Sequence, residues 1–501
     1  MQKKVNILQT PNEQLTQNEN IINESILNCY NKNDSIFQML CKCIAFSRMI
    51  YEMNDWHHAQ YQCCLSYFYI HWKGEKYALQ AESHAENSMK LISYYLNATS
   101  WQMNQQNADD PANLLILCIV LLNYYTLAKS KIILKKRKDA FSSIKQAEKA
   151  LNKVEQLVDS IQKYKTTLEN IDNYKDNSKP LENYYQQWNH CTLMRLDKNF
   201  YPNLQNLKIC IYCLHGKIAF ECEKYVVSFD QYMQALKFIE KIYGPESKEM
   251  ISIYHALGHI KEYQSSEDDM KKSIDYFKKA HDISNKIYHE EESFSSMVDL
   301  IRSVYLLCTV NMKLNLNLDD TEHLLGEMLQ IINTYNEKNN QNSMEYHIDN
   351  NSDESNDLMT IKTNSLDNDN DHIRCPTDQC FNSGHEYSNE YFVNLICSLR
   401  SLLIKIYIKS YRYQEALKLL EENLNIQEDT FGMYNTRVIK TYKLILSINM
   451  VQENFAEAVK QAEMCLDLEQ FTFGANSKQA KKTQDILKAL SSYKKTGNKV
   501  N

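Results

Sequence analysis

Between residues 389 and 493 one unit is written twice in succession. Tyr413-Gln414-Glu415-Ala416-Leu417 aligns with Phe455-Ala456-Glu457-Ala458-Val459, and the endings Thr430-Phe431-Gly432 and Thr472-Phe473-Gly474 fall into the same register. Ala416 to Ala458 and Phe431 to Phe473 are both 42 positions apart. A period in this range, with two amphipathic segments per unit, is the mark of a helical solenoid. It predicts a scaffold that binds rather than a pocket that reacts.

The rest of the composition agrees. A chain of 501 residues exceeds one ordinary core, so it is either several domains or an array growing in one dimension. It has 9 glycines and 6 prolines, where average usage would give about 35 and 25. Strand-rich and nucleotide-binding folds spend glycine on turns and phosphate loops, so this chain reads as all-α. A net charge of −7, spread along the length, argues against a general nucleic-acid binder, which needs clustered Lys and Arg. Of the 15 cysteines, Cys41, Cys43, Cys63, Cys64, Cys118, Cys308, Cys397 and Cys465 fall on apolar helical faces and behave as small hydrophobes. With no signal peptide at Met1-Gln2-Lys3-Lys4, a reducing, cytoplasmic setting is expected. The most apolar run, 114–122, is 9 residues long against the roughly 20 that a bilayer span needs. It is expected as a buried helix in a protein with no membrane insertion.

In chain order, 1–34 is Asn- and Gln-rich without helical period and reads as a disordered polar leader. Apolar spacing from Phe37 to Met49 predicts a lone second helix of a half unit. Five full units follow, with first (A) and second (B) helices near 57–70 and 77–96, 113–134 and 139–157, 204–221 and 225–243, 249–263 and 269–288, and 296–314 and 321–335. A polar insertion near 170–202 interrupts them. Residues 337–388 are Asn-, Asp- and Ser-rich with an acidic excess, and are expected to form a disordered linker between repeat blocks 35–336 and 389–493. The second block ends in a polar-faced capping helix at 476–492, followed by a tail at 494–501.

The units agree in detail. Gly216 and Gly258 lie 42 apart in the middle of their A helices, where glycine costs about 1 kcal/mol relative to alanine. A cost repeated at one register needs a reason, and close approach of the B helix supplies one. Small residues recur on the B helices as Ser228 with Ala235, Ser273 with Ala280, and Ala140 with Ala147. This ladder resembles the tetratricopeptide repeat. The 42-residue period and the aromatic–Gly endings are most similar to the long variant of kinesin light chains.

The first full unit carries a narrower signature: Cys43-Ile44-Ala45-Phe46, then Ile50-Tyr51, Trp56, Leu65, Gly74, and Gln80-Ala81-Glu82-Ser83-His84-Ala85-Glu86. It resembles the amino-terminal repeat of the tetratricopeptide repeat protein 23 family, in detail over residues 40–95 and in repeat layout beyond them. Glu52 stands where that family tends to have glycine. The resemblance implies a non-enzymatic adaptor at the cilium or ciliary base, in a family tied in animals to Hedgehog signalling. A kinesin-light-chain-like cargo adaptor is the alternative, although 1–34 is too short and polar for the heptad coiled coil that precedes such repeats. A chaperone-tail receptor is the second alternative, with Ser401 and Ser447 where its clamp uses Lys and Asn.

In such arrays the A helices line the groove that grips partners. Lys405, Lys409, Lys440 and Lys443 fall on one side of the last two A helices and predict a face for acidic peptide segments. The acidic 337–388 segment, tethered beside them, is a candidate internal occupant. His255 and His259, four apart with His215 nearby, read as peptide contacts rather than metal ligands, since no third ligand converges. His372, Cys375, Cys380 and His385 are zinc-type ligands at a spacing that departs from CxxC patterns, and read as chance. Lys129, Lys131, Lys135, Lys136, Arg137 and Lys138 read as a solvated turn. GxGxxG, GxxxxGK[ST] and GxSxG are all absent, so no enzyme, cofactor or small-molecule substrate is expected.

Overall fold

The structure, a computed structural model, describes residues 10–28, 33–53, 55–98, 111–169, 204–264, 266–346 and 389–497. Every regular element among these residues is helical. The helices are α1 (Pro11–Asn28), α2 (Asn33–Ile50), α3 (Trp56–Phe68), α4 (Ala78–Ala98), α5 (Pro111–Ile133), α6 (Arg137–Glu169), α7 (Leu204–Glu221), α8 (Tyr225–Tyr243) and α9 (Glu249–Gln264). They continue with α10 (Glu267–Glu291), α11 (Phe294–Leu314), α12 (Leu318–Tyr346), α13 (Asn389–Lys409), α14 (Tyr413–Phe431), α15 (Thr436–Val451), α16 (Phe455–Phe473) and α17 (Lys478–Gly497). One π-helical turn (Tyr69–Lys73) and a short 3₁₀ turn (Glu75–Tyr77) link α3 to α4. The chain divides into two units, one ending at Ile260 and the other opening at Lys261.

Within each unit the pairing is that of stacked hairpins. In the first unit α3 packs on α4, α4 on α5, α5 on α6, α6 on α7 and α7 on α8, while α3 also touches α5 and α5 touches α7. In the second, α11 packs on α12 and α13, α13 on α14, α14 on α15, α15 on α16 and α16 on α17.

The close approach behind these contacts comes from the small residues near the start of each B helix. Ala81, Ala140, Ser228, Ser273, Thr321, Ala416 and Ala458 occupy one register and are at most 2 % exposed. Four residues further on, B-helix size is matched against the A helix. A Cβ added to Gly216 would lie 2.6 Å from the Tyr232 ring. The same register carries Ala128 with Ile144, Ile404 with Leu420, and Leu446 with Ala462. The last two pairs each share a core cluster. In three of the four pairs a small residue faces a larger one, as interiors near crystal density favour, while Ile404 and Leu420 are both large. The fold is thus all-α, a tetratricopeptide-type α-solenoid of helix–turn–helix repeats.

The turns show how so little glycine suffices. Between A and B helices the chain enters the left-handed region at Lys135, Glu223, Asn315, Tyr411 and Glu453, with φ between 51° and 60°. In each turn the next amide donates back five residues, as from Lys136 to Lys131, Lys224 to Ala219, Leu316 to Asn311, Arg412 to Tyr407 and Asn454 to Asn449. This is the helix-ending Schellman bond, usually hosted by glycine. Four of the five residues here are not even Asn, so each such turn accepts a steric cost of about 1 kcal/mol. Glycine stands at Gly74 between α3 and α4, with φ 95°, and in the B-to-A turns at Gly432 and Gly474, where φ is 80° and 90° and ψ 154° and 149°, a region that side chains essentially exclude.

Several sequence expectations are corrected. Residues 11–28 of the supposed leader form α1, which packs on α2 and completes the first hairpin. Its buried positions, Leu15, Asn18, Glu19 and Ile22, do follow helical spacing, but two of the four are polar and hide it. Glu19 accepts a hydrogen bond from Tyr61 at 2.8 Å. The linker does not begin at residue 337, because α12 runs on to Tyr346; the rest of it, 347–388, lies outside the described residues. Nor are the two blocks separate: Phe392, Leu395, Ile396 and Leu399 of α13 share one core with Met297, Ile301, Leu325 and Met328. The capping helix extends to Gly497, into the expected tail.

Two helices, at Leu114–Ile133 and Tyr391–Lys409, are long and apolar enough to cross a membrane by length and composition. The nine-residue run understated the first. Both are largely buried, 67 % and 61 % of their windows, against other helices. The insertion expected near 170–202 lies outside the described residues, as does the His372, Cys375, Cys380 and His385 group.

Candidate functional site

On each A helix a stripe of residues three or four apart runs about a quarter turn from the side that meets the B helix. On α13 it holds Ser398, Ser401, Lys405 and Lys409, and on α15 Lys440, Lys443, Ser447 and Val451. None of the eight is acidic. Lys405, Lys409, Lys440 and Ser447 are exposed, while Ser398, Ser401 and Lys443 are half-buried. The serines donate to carbonyls one turn back, Ser398 to Asn394 at 2.8 Å, Ser401 to Cys397 at 2.7 Å and Ser447 to Lys443 at 2.8 Å. Their hydroxyls turn lone pairs outward without needing a further acceptor.

The four predicted lysines are not equivalent. Lys409 donates to the Asn315 side chain at 2.8 Å. Lys443 meets the carboxylate of Glu469, whose side chain is fully buried while that of Lys443 is 39 % exposed. The other oxygen of Glu469 accepts from Thr483 of α17 at 2.6 Å. Of the four, Lys405 and Lys440 are exposed and make no hydrogen bond or ion pair to another described side chain. Sequence reasoning placed all four on one face but missed the Glu469 contact. The sequence carried a partial signal: 42 residues on, Thr441 recurs as Thr483, while Gln427 gives way to Glu469 and Ser401 to Lys443, so the two charges appear together.

In the first unit the middle of the same stripe is largely interior. Tyr125, Cys213 and His255 stand three residues before Ala128, Gly216 and Gly258 and are 1 %, 1 % and 2 % exposed. Lys129 and His259 stand one residue after these, at 6 % and 5 %, and Lys217 of α7 at the same place is half-buried. The structure therefore makes His255 and His259 packed residues with contacts inside the fold, against the expectation of open peptide contacts. Among the described residues no three His, Cys, Asp or Glu side chains converge on a metal position. His215, on the other side of α7, pairs with Glu148 at 2.6 Å.

The expected solvated basic run is also partly structural. Lys136 clamps the buried Glu82 at 2.7 Å, and Lys129 Nζ lies 3.3 Å from His71 Nδ1, the ammonium donating to a neutral imidazole. His71 projects from the π-helical turn, and its ring stacks on Tyr67 at 4.0 Å and Tyr125 at 5.6 Å. Burial, with a smaller contribution from Lys129, holds its pKa well below the ordinary imidazole value. Burial pushes the thiols of Cys308 and Cys465 up to about 12.

The stacked hairpins, size-matched helix pairs and one open basic stripe define a tetratricopeptide-type repeat protein. No family model matches the chain, and no curated protein matches it. Among solved structures it is similar to the apo form of RapI, at 9 % identity over 96 % of this chain and 99 % of that one, with a TM-score of 0.46. A Rap protein complexed with competence and sporulation factor is similar at 9 % identity over 96 % and 98 %, with a TM-score of 0.35. Naa15/Naa10 bound to HypK-THB is similar at 10 % over 96 % and 92 %, with a TM-score of 0.25. At these scores the fold rests on the packing described above and not on the likenesses.

Proposed function

We propose that this protein is a non-enzymatic protein–protein interaction scaffold whose open face on α13 and α15 takes acidic segments of its partners. The observation that carries this reading is the exposure of Lys405 and Lys440 on a stripe of hydroxyls and lysines without a single carboxylate. Exposed ion pairs contribute about 0.2–1 kcal/mol each. Recognition of this kind is therefore the sum of many modest contacts, fast to form and sensitive to salt.

The direct test is titration of the full-length protein into a fluorescein-labelled octaglutamate peptide, with an octalysine peptide as control. Binding of the acidic probe that weakens with salt and with the double change Lys405→Glu and Lys440→Glu is the expected result. Equal binding of both probes, or indifference to the two lysines, overturns the reading.

From the resemblance of residues 40–95 to the tetratricopeptide repeat protein 23 family, we further propose an adaptor that works in the cytoplasm at the cilium or ciliary base. Tagging in a ciliated cell tests this: concentration at the ciliary base supports it, and diffuse signal or movement on vesicles counts against it.

A further inference from the structure

The last two repeats can be compared position by position, because Ser401 and Lys443, Gln427 and Glu469, and Thr441 and Thr483 are each 42 apart. In the earlier repeat Ser401 faces outward and Gln427 takes the threonine hydroxyl at 2.8 Å. In the later one the threonine bond is retained at 2.6 Å, but serine has become lysine and the amide has become a carboxylate. The two charges arrive together, and they meet. A neutral pair is sufficient at this register to seat the following helix, as Gln427 shows. The carboxylate is thus not needed for the threonine bond. What it adds is a hold on Lys443: Oε1 accepts no well-aligned hydrogen bond and meets the ammonium as a charge contact.

We propose that Glu469 is an internal competitor for Lys443, so that an acidic partner gains this lysine of the stripe only by drawing it away from Glu469. This rests on the reading of the α13–α15 face as a site for acidic segments. Its consequence is graded recognition: Lys405 and Lys440 make the first contact, and Lys443 joins only when the partner's charge is dense enough to outcompete a carboxylate already in place. Lys443 is 39 % exposed on its side chain, so it can swing outward without opening the core.

The test uses the full-length protein and Glu469→Gln, the residue that the preceding repeat already carries at this register. Two readouts are taken: the rate at which Lys443 is acetylated by an N-hydroxysuccinimide ester, followed by mass spectrometry, and the affinity for the octaglutamate probe at low and moderate salt. The expected result is faster acetylation of Lys443, unchanged rates at Lys405 and Lys440, an affinity gain of roughly threefold, and a steeper salt dependence. Unchanged acetylation of Lys443 overturns the proposal, as does faster acetylation with no gain in affinity. Should the single variant fold poorly, Glu469→Gln with Lys443→Ser reproduces the Ser401/Gln427 pair. That double variant must bind the probe no more tightly than the wild type, and tighter binding by it also overturns the proposal. If Lys405→Glu with Lys440→Glu leaves the wild-type affinity intact, the reading of the face itself fails and takes the proposal with it. If that change weakens binding while Glu469→Gln does not strengthen it, only the proposal fails.

Discussion

The A helices of the first unit and those of the last two repeats share a register yet use the same stripe in opposite ways. At one pair of positions α5 and α9 carry Tyr125, Lys129, His255 and His259, none more than 6 % exposed, while α7 carries the buried Cys213 and the half-buried Lys217. At the corresponding positions α13 and α15 carry Ser401, Lys405, Lys443 and Ser447, all half-buried or exposed. The helix-to-helix packing is equivalent in both, with the same small residues at the start of the B helices. Stacking therefore does not decide whether a repeat offers a surface. That is decided by a few side chains a quarter turn away: Tyr125, Cys213 and His255 go with an interior that buries even Lys129, while Ser401, Lys443 and Ser447 stand where partners can reach them.

The largest expected effect asks whether the shared packing is as described. Gly216→Leu drives a side chain into the Tyr232 ring and should cost about 3 kcal/mol, measured by urea unfolding. Adding Tyr232→Ala recreates the Leu446/Ala462 combination of the last repeat and should recover most of the loss. A double variant no more stable than the single one would mean that size exchange does not govern the pairing. Next in size is Lys443→Ser, which leaves the carboxylate of Glu469 buried without its counter-ion. Removing one partner of a fully buried pair costs about 3–5 kcal/mol, and the half-exposed lysine lowers the figure to about 2. Glu469→Gln in the same chain should restore stability.

A smaller effect separates the two faces by pH. His71 is neutral in the fold, with its pKa depressed by burial, and burial lowers His57 and His84 in the same direction. Above the unfolded value near 6.5 neither state binds the proton, and the stabilisation is complete. As pH falls below about 6.5 the unfolded chain takes up protons that the fold refuses, so stability declines by at most about 1.4 kcal/mol per pH unit for His71. Hydrogen exchange of the α3–α5 amides between pH 7.5 and 5 should show this loss of protection. His71→Gln should flatten the dependence.

The all-α class, the repeat period and the helix pairs could be read from the sequence because apolar spacing and small-residue spacing each repeat at 42. What could not be read follows from the same physics. The α1 helix escaped because Asn18 and Glu19 fill half of its buried positions, and periodicity counts only apolar residues. The direct stacking of α13 on α11 and α12 was hidden because a long polar insertion looks like a boundary in one dimension, whatever the flanking helices do. The lysine stripe was legible as a face, but burial was not. Lys443 and Lys405 are alike as residue types, and only the carboxylate 26 positions after Lys443 sets it apart. His255 and His259 were misjudged for the same reason, since a histidine does not reveal its own accessibility.

The smallest expected effect is the one that bears most on function. Lys405→Ser with Lys440→Ser changes two exposed side chains and should alter stability by less than about 0.5 kcal/mol. Affinity for an acidic probe should still fall, by up to about thirtyfold if each lysine contributes near the upper end of 0.2–1 kcal/mol. Part of the salt dependence should go with it, because two fewer charges are screened. Lys129→Ser in the first unit should do the reverse, lowering stability through the loss of a packed ammonium and its bond to His71 while leaving the probe's affinity alone. The two substitutions remove the same side chain from the same register position. If Lys129→Ser weakened probe binding as much as Lys405→Ser at equal stability, the interior stripe would be reachable by partners and the contrast between the faces would collapse. If the second-unit pair instead lowered stability and left binding untouched, those lysines would belong to the fold, and the partner's face would have to be sought elsewhere on the repeats.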